Sequence, residues 1–530
     1  MSTAYKVLLL DGIDPVSKDI LEKRGIQADL ISKVDKEELF KMIGEYDGVV
    51  VRSATKVNAE LLAKATNLKV VGRAGVGVDN IDINAATEKG VLVMNTPDGN
   101  TISTAEHACG LILSLVRNIP NAVESLKAGR WDRKKYLGTE VHGKTLGVIG
   151  LGKIGSSVAV RMKAFGMRIL GYDPYMTHDR ARELGIELCE LDTVLGESDI
   201  ITVHTPLTDK TKGMVSRENA HKLKKGVKLV NCARGGIFTE EDLLGLLEDG
   251  TISELALDVY SVEPPEEHLK DLLRHPAVVC TPHLGASTEE AQEKVAVQIA
   301  YQIADALENK DFKGSINGKS VALSMDAEVQ PFLKLAEQVG CFIQQVGQQN
   351  INELTVEYSG TCNKHAEVLT DALLAGFLHQ ISEFPVNLIN ARYLSDQKGL
   401  TVRETKGRDS KIYSDLITIS LPDTCTFKKV SATPFGENDF RIVNIDGFPI
   451  EIQLKGDIIL YKNIDKPGML AAVSTTLAKN EINIAALSLG RESINSKAIT
   501  AVVVDKKPDT EVLDEISRIS GVESLKVISL

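Results

Sequence analysis

Short runs of aliphatic and β-branched residues alternate with longer helical stretches up to about residue 300. The earliest runs are Lys6–Leu10, Gly48–Val51, Leu68–Val71 and Gly90–Val93. A helical stretch from Thr104 to about Lys127 follows, and the alternation begins again at Thr145–Ile149. Strands that alternate with helices are typical of βαβ units around a parallel sheet. The pattern therefore predicts an α/β fold with two doubly wound parallel sheets.

The remainder of the chain has a different pattern of predicted strands and helices. From about Ser315 strands and helices mix less regularly, and the earlier glycine turns are missing. A compact ending starts at about Glu451 and contains the strand pattern Ile458–Tyr461. We therefore expect an α+β region over 315–450 and a small separate unit over 451–530.

Composition narrows the class of protein. A chain of 530 residues is too long for one hydrophobic core. Acidic residues outnumber basic ones by 73 to 61, so we expect no nucleic-acid or membrane partner, and an anionic substrate would need a local basic pocket. Met1–Lys6 lacks the pattern of a signal peptide, and no apolar stretch approaches the ~20 residues of a membrane span, so we expect a cytoplasmic protein. The seven cysteines lack Cys-x-x-Cys spacing, which favours reduced thiols over disulfides or a metal site.

A glycine turn supplies the first candidate chemistry. The strand pattern Thr145–Ile149 leads directly into Gly150-x-Gly152-x-x-Gly155, and Ser156–Phe165 is predicted to be helical. In a dinucleotide-binding turn, such glycines allow a tight turn, close approach of the pyrophosphate and close packing of helix on strand. The pyrophosphate then lies on the helix N-terminus, where free N–H groups favour an anion.

An acidic residue strengthens this interpretation. The next strand pattern, Arg168–Tyr172, ends in Asp173, whose carboxylate is placed to accept hydrogen bonds from both ribose hydroxyls. Pro174 and Tyr175 follow without an adjacent basic residue, which favours NAD over NADP. The alternative is an ordinary glycine-rich βα turn beside a solvated aspartate.

Three later strand patterns each end near a polar residue. These residues are Arg234, Glu263 and His283. Oxidation of an alcohol by hydride transfer needs a base for the hydroxyl proton, and a neighbouring carboxylate needs a cation. His283 would be the base, Glu263 would hydrogen-bond the other ring nitrogen, and Arg234 would bind the carboxylate. Taken singly, they could be a core histidine, a loop carboxylate and a surface ion pair.

The segments around these residues resemble the D-isomer-specific 2-hydroxyacid dehydrogenases, a family in which arginine, glutamate and histidine have these roles. The resemblance implies two Rossmann-like domains, with an NAD-binding domain over 99–285 inserted into a substrate domain formed by 1–98 and 286–314. It also places a set of residues around the cofactor. This set is Val76, Lys153, Ile154, Thr205, Pro206, Cys232, Asp258, Gly285 and Ala286.

The N-terminal segments around Arg52 and Arg73 resemble the branch of that family that oxidises 3-phosphoglycerate. In that branch the first arginine meets the phosphate, and a glycine turn, here Gly75-Val76-Gly77, presents N–H groups to the carboxylate. The segment after Lys127 resembles one that reaches the neighbouring subunit, so that Arg133 would complete the phosphate pocket and Trp131 would anchor an oligomer, expected to be a tetramer. Many relatives carry a small polar residue where this chain has Val76.

The C-terminal parts resemble the long form of the same branch. Tyr461–Leu470 and Glu481–Ala485 are similar to an ACT module, a ferredoxin-like βαββαβ fold that binds amino acids, and 315–450 is similar to the intervening regulatory domain. By position, Asn463, Asp465 and Asn483 match residues that contact L-serine in serine-inhibited relatives. Both a serine site and a purely structural ACT module stay open.

The resemblance implies oxidation of 3-phospho-D-glycerate to 3-phosphohydroxypyruvate with NAD, the first step of phosphorylated serine biosynthesis. One alternative is a reductase of another 2-oxo acid, such as 2-oxoglutarate, hydroxypyruvate or glyoxylate. The other is an NAD-binding sensor without catalysis.

Overall fold

The computed structural model describes residues 5–347, 351–382, 385–407, 412–436 and 438–530. Four sheets organise this part of the chain. The first two are wholly parallel and the last two are largely antiparallel, which confirms the predicted fold class. No described helix combines the length and the apolar composition that a membrane crossing requires. Short 3-10 helices occur at Ile43–Glu45, Ala220–Lys222, Glu267–Leu269 and Thr361–His365.

The first sheet has the strand order β2-β1-β3-β4-β5. Its strands are β1 (Lys6–Leu9), β2 (Gln27–Leu30), β3 (Gly48–Val51), β4 (Val70–Arg73) and β5 (Leu92–Asn95). The helices between them are α1 (Val16–Lys23), α2 (Lys36–Met42), α3 (Ala59–Lys64) and α4 (Ile83–Glu88). Asp35, Asn58 and Asp82 cap three of these helices by accepting a hydrogen bond from the first helical turn.

Two helices lead from the first sheet to the second, and they replace the single helical stretch that the sequence predicts. They are α5 (Thr101–Val116) and α6 (Ile119–Lys127). Asn118 adopts a left-handed conformation with φ of 51°, and Pro120 follows in the first turn of α6. The chain breaks here because proline lacks the N–H that a continuous helix would need.

The second sheet has the strand order β12-β11-β10-β9-β6-β7-β8. Its strands are β6 (Thr145–Ile149), β7 (Arg168–Tyr172), β8 (Glu187–Leu188), β9 (Ile200–Val203), β10 (Val227–Asn231), β11 (Ile252–Leu257) and β12 (Val278–Cys280). Its helices are α7 (Lys153–Ala164), α8 (His178–Leu184), α9 (Leu191–Glu197), α10 (Glu240–Glu248) and α11 (Lys270–Arg274). The order reverses between β6 and β9, and open parallel sheets bind ligands at such a point.

The chain then returns to the first sheet. Helix α12 (Glu289–Leu307) packs against α1 and β4, and its residues Val295, Ile299 and Ile303 lie in the core of the first sheet. A Cβ on Gly72 would lie only 2.8 Å from Ile299, so glycine permits this close packing. The first sheet is therefore packed against chain segments that come both before and after the second sheet in the sequence. Helix α13 (Lys319–Leu323) follows.

The third sheet has the strand order β14-β13-β15-β16-β17-β18. Its strands are β13 (Glu353–Ser359), β14 (Thr401–Lys406), β15 (Leu416–Ser420), β16 (Lys429–Gly436), β17 (Asp439–Ile445) and β18 (Phe448–Gln453). The associated helices are α14 (Gln330–Val346), α15 (Ala366–Leu378) and α16 (Ala391–Gln397). Strand β18 runs through the expected domain boundary at Glu451 because it pairs with β17 as far as Gln453.

The last sheet has the strand order β20-β21-β19-β22 and a βαββαβ element order, as in a ferredoxin-like fold. Its elements are β19 (Asp457–Ile464), α17 (Met469–Lys479), β20 (Ile484–Arg491), β21 (Lys497–Val504), α18 (Thr510–Ser517) and β22 (Val522–Ser529).

Candidate active site

The glycine turn connects β6 to α7 at the reversal of strand order. Gly150 has φ of 90°, and a Cβ on Gly155 would lie 1.9 Å from the carbonyl oxygen of Gly150, so neither position accommodates a side chain. A Cβ on Gly152, by contrast, would meet nothing within 4 Å. The turn therefore leaves open space in front of the α7 N-terminus, where Lys153 and Ile154 form the first turn. Lys153 forms an ion pair with Asp98.

Asp173 lies beside this turn at the end of β7. Its Oδ2 accepts a hydrogen bond from the Leu151 N–H (2.8 Å), and its Oδ1 accepts one from the Tyr175 N–H (2.8 Å). These bonds fix the carboxylate next to the open space. Across the reversal, the buried Thr205 hydroxyl has no hydrogen-bond partner among the described residues. An anchored acid, an unpaired hydroxyl and open space at a helix N-terminus fit a dinucleotide.

Two further groups line this region. Cys232 follows β10, and its burial raises the pKa of its thiol far above the usual range, so the thiol stays protonated. His204 is half-buried beside Gly150, and burial lowers its pKa to about 4, so its ring is neutral. Both groups pack the site without adding charge to it.

His283 and Glu263 form a hydrogen-bonded pair. The distance from His283 Nδ1 to Glu263 Oε2 is 2.7 Å, and the Tyr260 N–H donates to Glu263 Oε1 at 3.2 Å. The hydrogen bond to Glu263 raises the pKa of His283 above its ordinary value, although partial burial opposes the shift. Because Nδ1 is engaged by Glu263, Nε2 is the nitrogen available to another molecule.

Asp258 fixes the chain just after His283. It is wholly buried, and it accepts hydrogen bonds from the N–H groups of Leu284 (2.7 Å) and Gly285 (2.9 Å) and from the Thr281 hydroxyl (2.6 Å). His107 on α5 lies 3.2 Å from the same carboxylate. Burial alone would raise the pKa of Asp258, but these hydrogen bonds outweigh it and lower the pKa. The sequence interpretation missed His107, which stands within the helical pattern without a distinguishing motif.

Arg234 reaches from the second sheet to the glycine turn of the first. Its Nε lies 3.2 Å from Asp79 Oδ2, and its guanidinium donates to the Ala233 carbonyl (2.7 Å). A Cβ on Gly77 would lie 2.2 Å from the guanidinium, so glycine is required for this approach. Sequence reasoning missed Asp79, although it lies only two residues after the Gly75–Gly77 turn.

Arginines from two sheets converge at this point. Arg73 is mostly buried, and burial, followed by the nearby positive charges of Arg52 and Arg234, lowers its pKa to about 10. Its Nε has no acceptor among the described residues. Such mutual repulsion is relieved by an anion, so this cluster (Arg52, Arg73 and Arg234) is a basic pocket in an acidic protein.

The remaining predicted site residues lie elsewhere. Arg133 is exposed after α6, in the segment where Trp131 is 82% exposed. In the last sheet, Asn463 is 1% exposed; it accepts a hydrogen bond from the Thr500 hydroxyl and donates one to the Ile464 carbonyl. Asp465 pairs with Arg491, and Asn483 donates to Asp505. The three predicted effector residues therefore each have partners within their own fold.

Transfer of a hydride from a hydroxy acid needs a held dinucleotide, a proton acceptor and a cation for the acid group, and this edge of the second sheet offers all three. The fold and the site thus define an NAD-dependent 2-hydroxyacid dehydrogenase. Residues 109–285 match the family described as D-isomer specific 2-hydroxyacid dehydrogenase, NAD binding domain. Residues 328–446 match the D-3-phosphoglycerate dehydrogenase intervening domain, and 458–521 match the ACT domain.

Relatives that match over the whole chain identify one member of this dehydrogenase family. The chain is 40% identical to D-3-phosphoglycerate dehydrogenase of Archaeoglobus fulgidus over 99% of this chain and 100% of the relative. It is 40% identical to the enzyme of the same name from Bacillus subtilis, over 98% of each chain. The chain belongs to the D-3-phosphoglycerate dehydrogenase family.

Solved structures of 2-hydroxyacid dehydrogenases match more than half of the chain. D-lactate dehydrogenase of Aquifex aeolicus, solved with NAD and lactic acid, has a TM-score of 0.51 at 28% identity and covers 57% of this chain and 96% of its own. The apo D-lactate dehydrogenase of Escherichia coli has a TM-score of 0.53 at 26% identity and covers 59% of this chain and 99% of its own.

Proposed function

We propose that this chain oxidises 3-phospho-D-glycerate to 3-phosphohydroxypyruvate with NAD, the reaction that opens phosphorylated serine biosynthesis. The observation that carries the proposal is that the Arg73 and Arg234 guanidinium groups both lie against the Gly75–Gly77 turn, with the charge of Arg52 near Arg73 and that of Arg234 near His283. A substrate with one carboxylate would not need three arginines, whereas a carboxylate and a distal phosphate together would use them. Full-length similarity to enzymes of that name supports the same substrate.

The arginine cluster can bind the two acidic ends of the substrate separately. We assign the substrate carboxylate to Arg234 and to the N–H groups of the Gly75–Gly77 turn, including Val76. Arg52 and Arg73 receive the phosphate, and Arg133 of a neighbouring subunit completes that pocket. In this pose the substrate replaces Asp79 as the principal anion on Arg234.

Proton transfer is assigned to His283. Its Nε2 accepts the proton of the substrate hydroxyl, and Nδ1–H donates to Glu263, whose negative charge stabilises the imidazolium that forms. Asp258 keeps the chain at Leu284 and Gly285 in place, so the ring does not move away when it becomes charged. Because Glu263 raises the pKa of His283, the neutral base is available only at higher pH, and oxidation is favoured there.

The cofactor is assigned to the open space at the glycine turn. NAD would supply the hydride acceptor for this reaction. Gly152 and the α7 N-terminus would hold its pyrophosphate, and Asp173 would bind its ribose hydroxyls. The nicotinamide side would be lined by Thr205, Pro206, Cys232, Gly285 and Ala286. The Thr205 hydroxyl, which has no hydrogen-bond partner among the described residues, would then gain one.

The direct test is NADH formation by the purified chain with 3-phosphoglycerate at alkaline pH. We expect activity in the wild type and its loss in His283→Ala. Arg52→Ala should raise the KM for phosphoglycerate far more than the KM for an analogue without the phosphate. Equal effects on both substrates would remove Arg52 from the phosphate pocket, and an inactive wild type would favour the sensor alternative.

The other 2-oxo acids are distinguished by a panel of substrates. Reduction of 2-oxoglutarate, hydroxypyruvate or glyoxylate with a higher kcat/KM than 3-phosphohydroxypyruvate would overturn the substrate assignment. We expect the reverse order because only the phosphorylated acid engages Arg52 and Arg73 at its far end.

We further propose that the chain is a cytoplasmic homotetramer with a ligand-responsive ACT module. Trp131 and Leu137 are 82% and 88% exposed, which suits an intersubunit contact. Sedimentation of wild type and Trp131→Ala tests the oligomer. A titration of activity and thermal stability with L-serine tests the effector site expected at Asn463, Asp465 and Asn483. No response would leave the ACT module a structural element.

A further inference from the structure

Glu240 is a buried carboxylate to which the assigned chemistry gives no role. It is the first residue of α10 and is 6% exposed, whereas the neighbouring Glu241 is exposed. Burial of a carboxylate is costly unless hydrogen bonds compensate for the lost water. The donors that satisfy Glu240 therefore indicate what its burial achieves.

One oxygen of Glu240 joins two loops of the active site. Oε1 accepts hydrogen bonds from the Ser261 N–H (2.7 Å) and the Ser261 hydroxyl (2.8 Å). The same oxygen accepts a longer bond from the Gly236 N–H (3.4 Å). Gly236 lies two residues after Arg234, and Ser261 lies two residues before Glu263.

The two loops are also packed backbone against backbone. A Cβ on Gly235 would lie 1.9 Å from the Tyr260 carbonyl carbon and 2.2 Å from the Ser261 nitrogen. The Tyr260 N–H in turn donates to Glu263, which binds His283. A displacement of Ser261 would therefore reach the His283 ring through a short series of direct contacts.

We propose that Glu240 is a positioning residue that locks the Arg234 turn to the Glu263 loop, so that the carboxylate-binding and proton-accepting groups meet the substrate together. The proposal rests on the proposed function for the identity of the reaction, but not for the geometry. Catalytic groups must be held closely, because a misplacement of about 1 Å can cost about 100-fold in rate.

Three variants separate position from charge. Glu240→Gln keeps the size and removes the charge that strengthens the Ser261 bonds. Glu240→Asp keeps the charge and withdraws the oxygen by one methylene. Glu241→Gln is the matched control, since it removes the same charge one residue away on the exposed side of α10.

We expect kcat/KM to fall about 10- to 100-fold in both Glu240 variants and to stay within about twofold of wild type in the control. NADH binding should stay within about twofold in all three, because the glycine turn lies on other strands. Thermal unfolding and circular dichroism establish that each variant is folded. Ser261→Ala, which removes only one of the three hydrogen bonds, should show a smaller loss in the same direction.

The deciding readout is the titration of His283 in the NAD-free enzyme, followed by NMR of labelled histidine. If Glu240 positions Glu263, the pKa of His283 falls toward its ordinary value in both Glu240 variants. A His283 titration that matches Glu241→Gln, or a shift in Glu240→Gln that Glu240→Asp does not share, would overturn the proposal. This measurement needs no substrate, so failure of the substrate assignment would be recognised separately by an inactive wild type.

Discussion

Gly152→Ala offers a sharp test of the cofactor turn. The backbone at Gly152 has φ of −64° and ψ of −162°, which an alanine can adopt, and the added Cβ would meet no atom of the protein within 4 Å. The fold should therefore accept the methyl group. Only a molecule lying in the open space in front of α7 would collide with it.

The size of the effect follows from that collision. Forcing one extra methyl group into a filled site costs about 1–3 kcal/mol. Each 1.4 kcal/mol is about tenfold in a dissociation constant, so NAD binding should weaken about 5- to 150-fold. The free energy of unfolding of the NAD-free chain should be unchanged, within about 0.5 kcal/mol.

Two comparisons make the assay specific. Gly155→Ala should weaken NAD binding and also lower the melting temperature, because its Cβ would lie 1.9 Å from the Gly150 carbonyl oxygen. Gly196→Ala should leave NAD binding unchanged and should not lower the melting temperature, since its Cβ would lie at an ordinary 3.6 Å from the nearest atom and alanine is favourable within α9. NADH fluorescence titration and thermal unfolding measure both quantities. Wild-type NADH affinity in Gly152→Ala would refute the placement of the pyrophosphate at this turn.

Two further predictions concern pH. Glu263→Gln removes the group that raises the pKa of His283, so the acid limb of the pH profile of kcat/KM for oxidation should move to lower pH. The value of kcat should fall as well. An acid limb that does not move would contradict the pairing of His283 with Glu263. Arg24 and Lys310 lower the pKa of Glu308 to about 2, so this carboxylate contributes stability above its ordinary pKa, and the contribution is lost as pH falls through about 2. Arg24→Ala should therefore reduce the urea midpoint at neutral pH and flatten its decline in acid, whereas identical declines would contradict the pairing.

The sequence predicted those parts of the site that depend on local rules. A parallel strand followed by a glycine turn places its ligand-binding backbone at one sheet edge, so Gly150, Gly152 and Gly155 could be located without coordinates. Asp173 could be located for the same reason, because it ends the next strand. The His283–Glu263 pair could be named as a hypothesis because both residues follow strands of the same series.

The remainder depends on residues that are distant in sequence. Nothing near His107 indicates that it faces Asp258, since the two are joined only when α5 crosses the second sheet. The break at Asn118 was missed because the hydrophobic pattern continues across it, although Pro120 marks the start of a new helix. Asn463 was placed in an effector site by position alone, and its burial follows from the pairing of β19 with β21.

The return of α12 to the first sheet also determines the order in which the parts of the chain can fold during synthesis. Arg24, directly after α1, pairs with Asp305 near the end of α12, and these residues are 281 positions apart. A chain growing from its N-terminus therefore carries an uncovered first sheet while the whole second sheet is made. The second sheet can complete its own core before the first sheet does. Contacts between residues so far apart in sequence also form slowly. During this interval the apolar residues of the first sheet that α12 later covers stay exposed, and such surface is prone to aggregation.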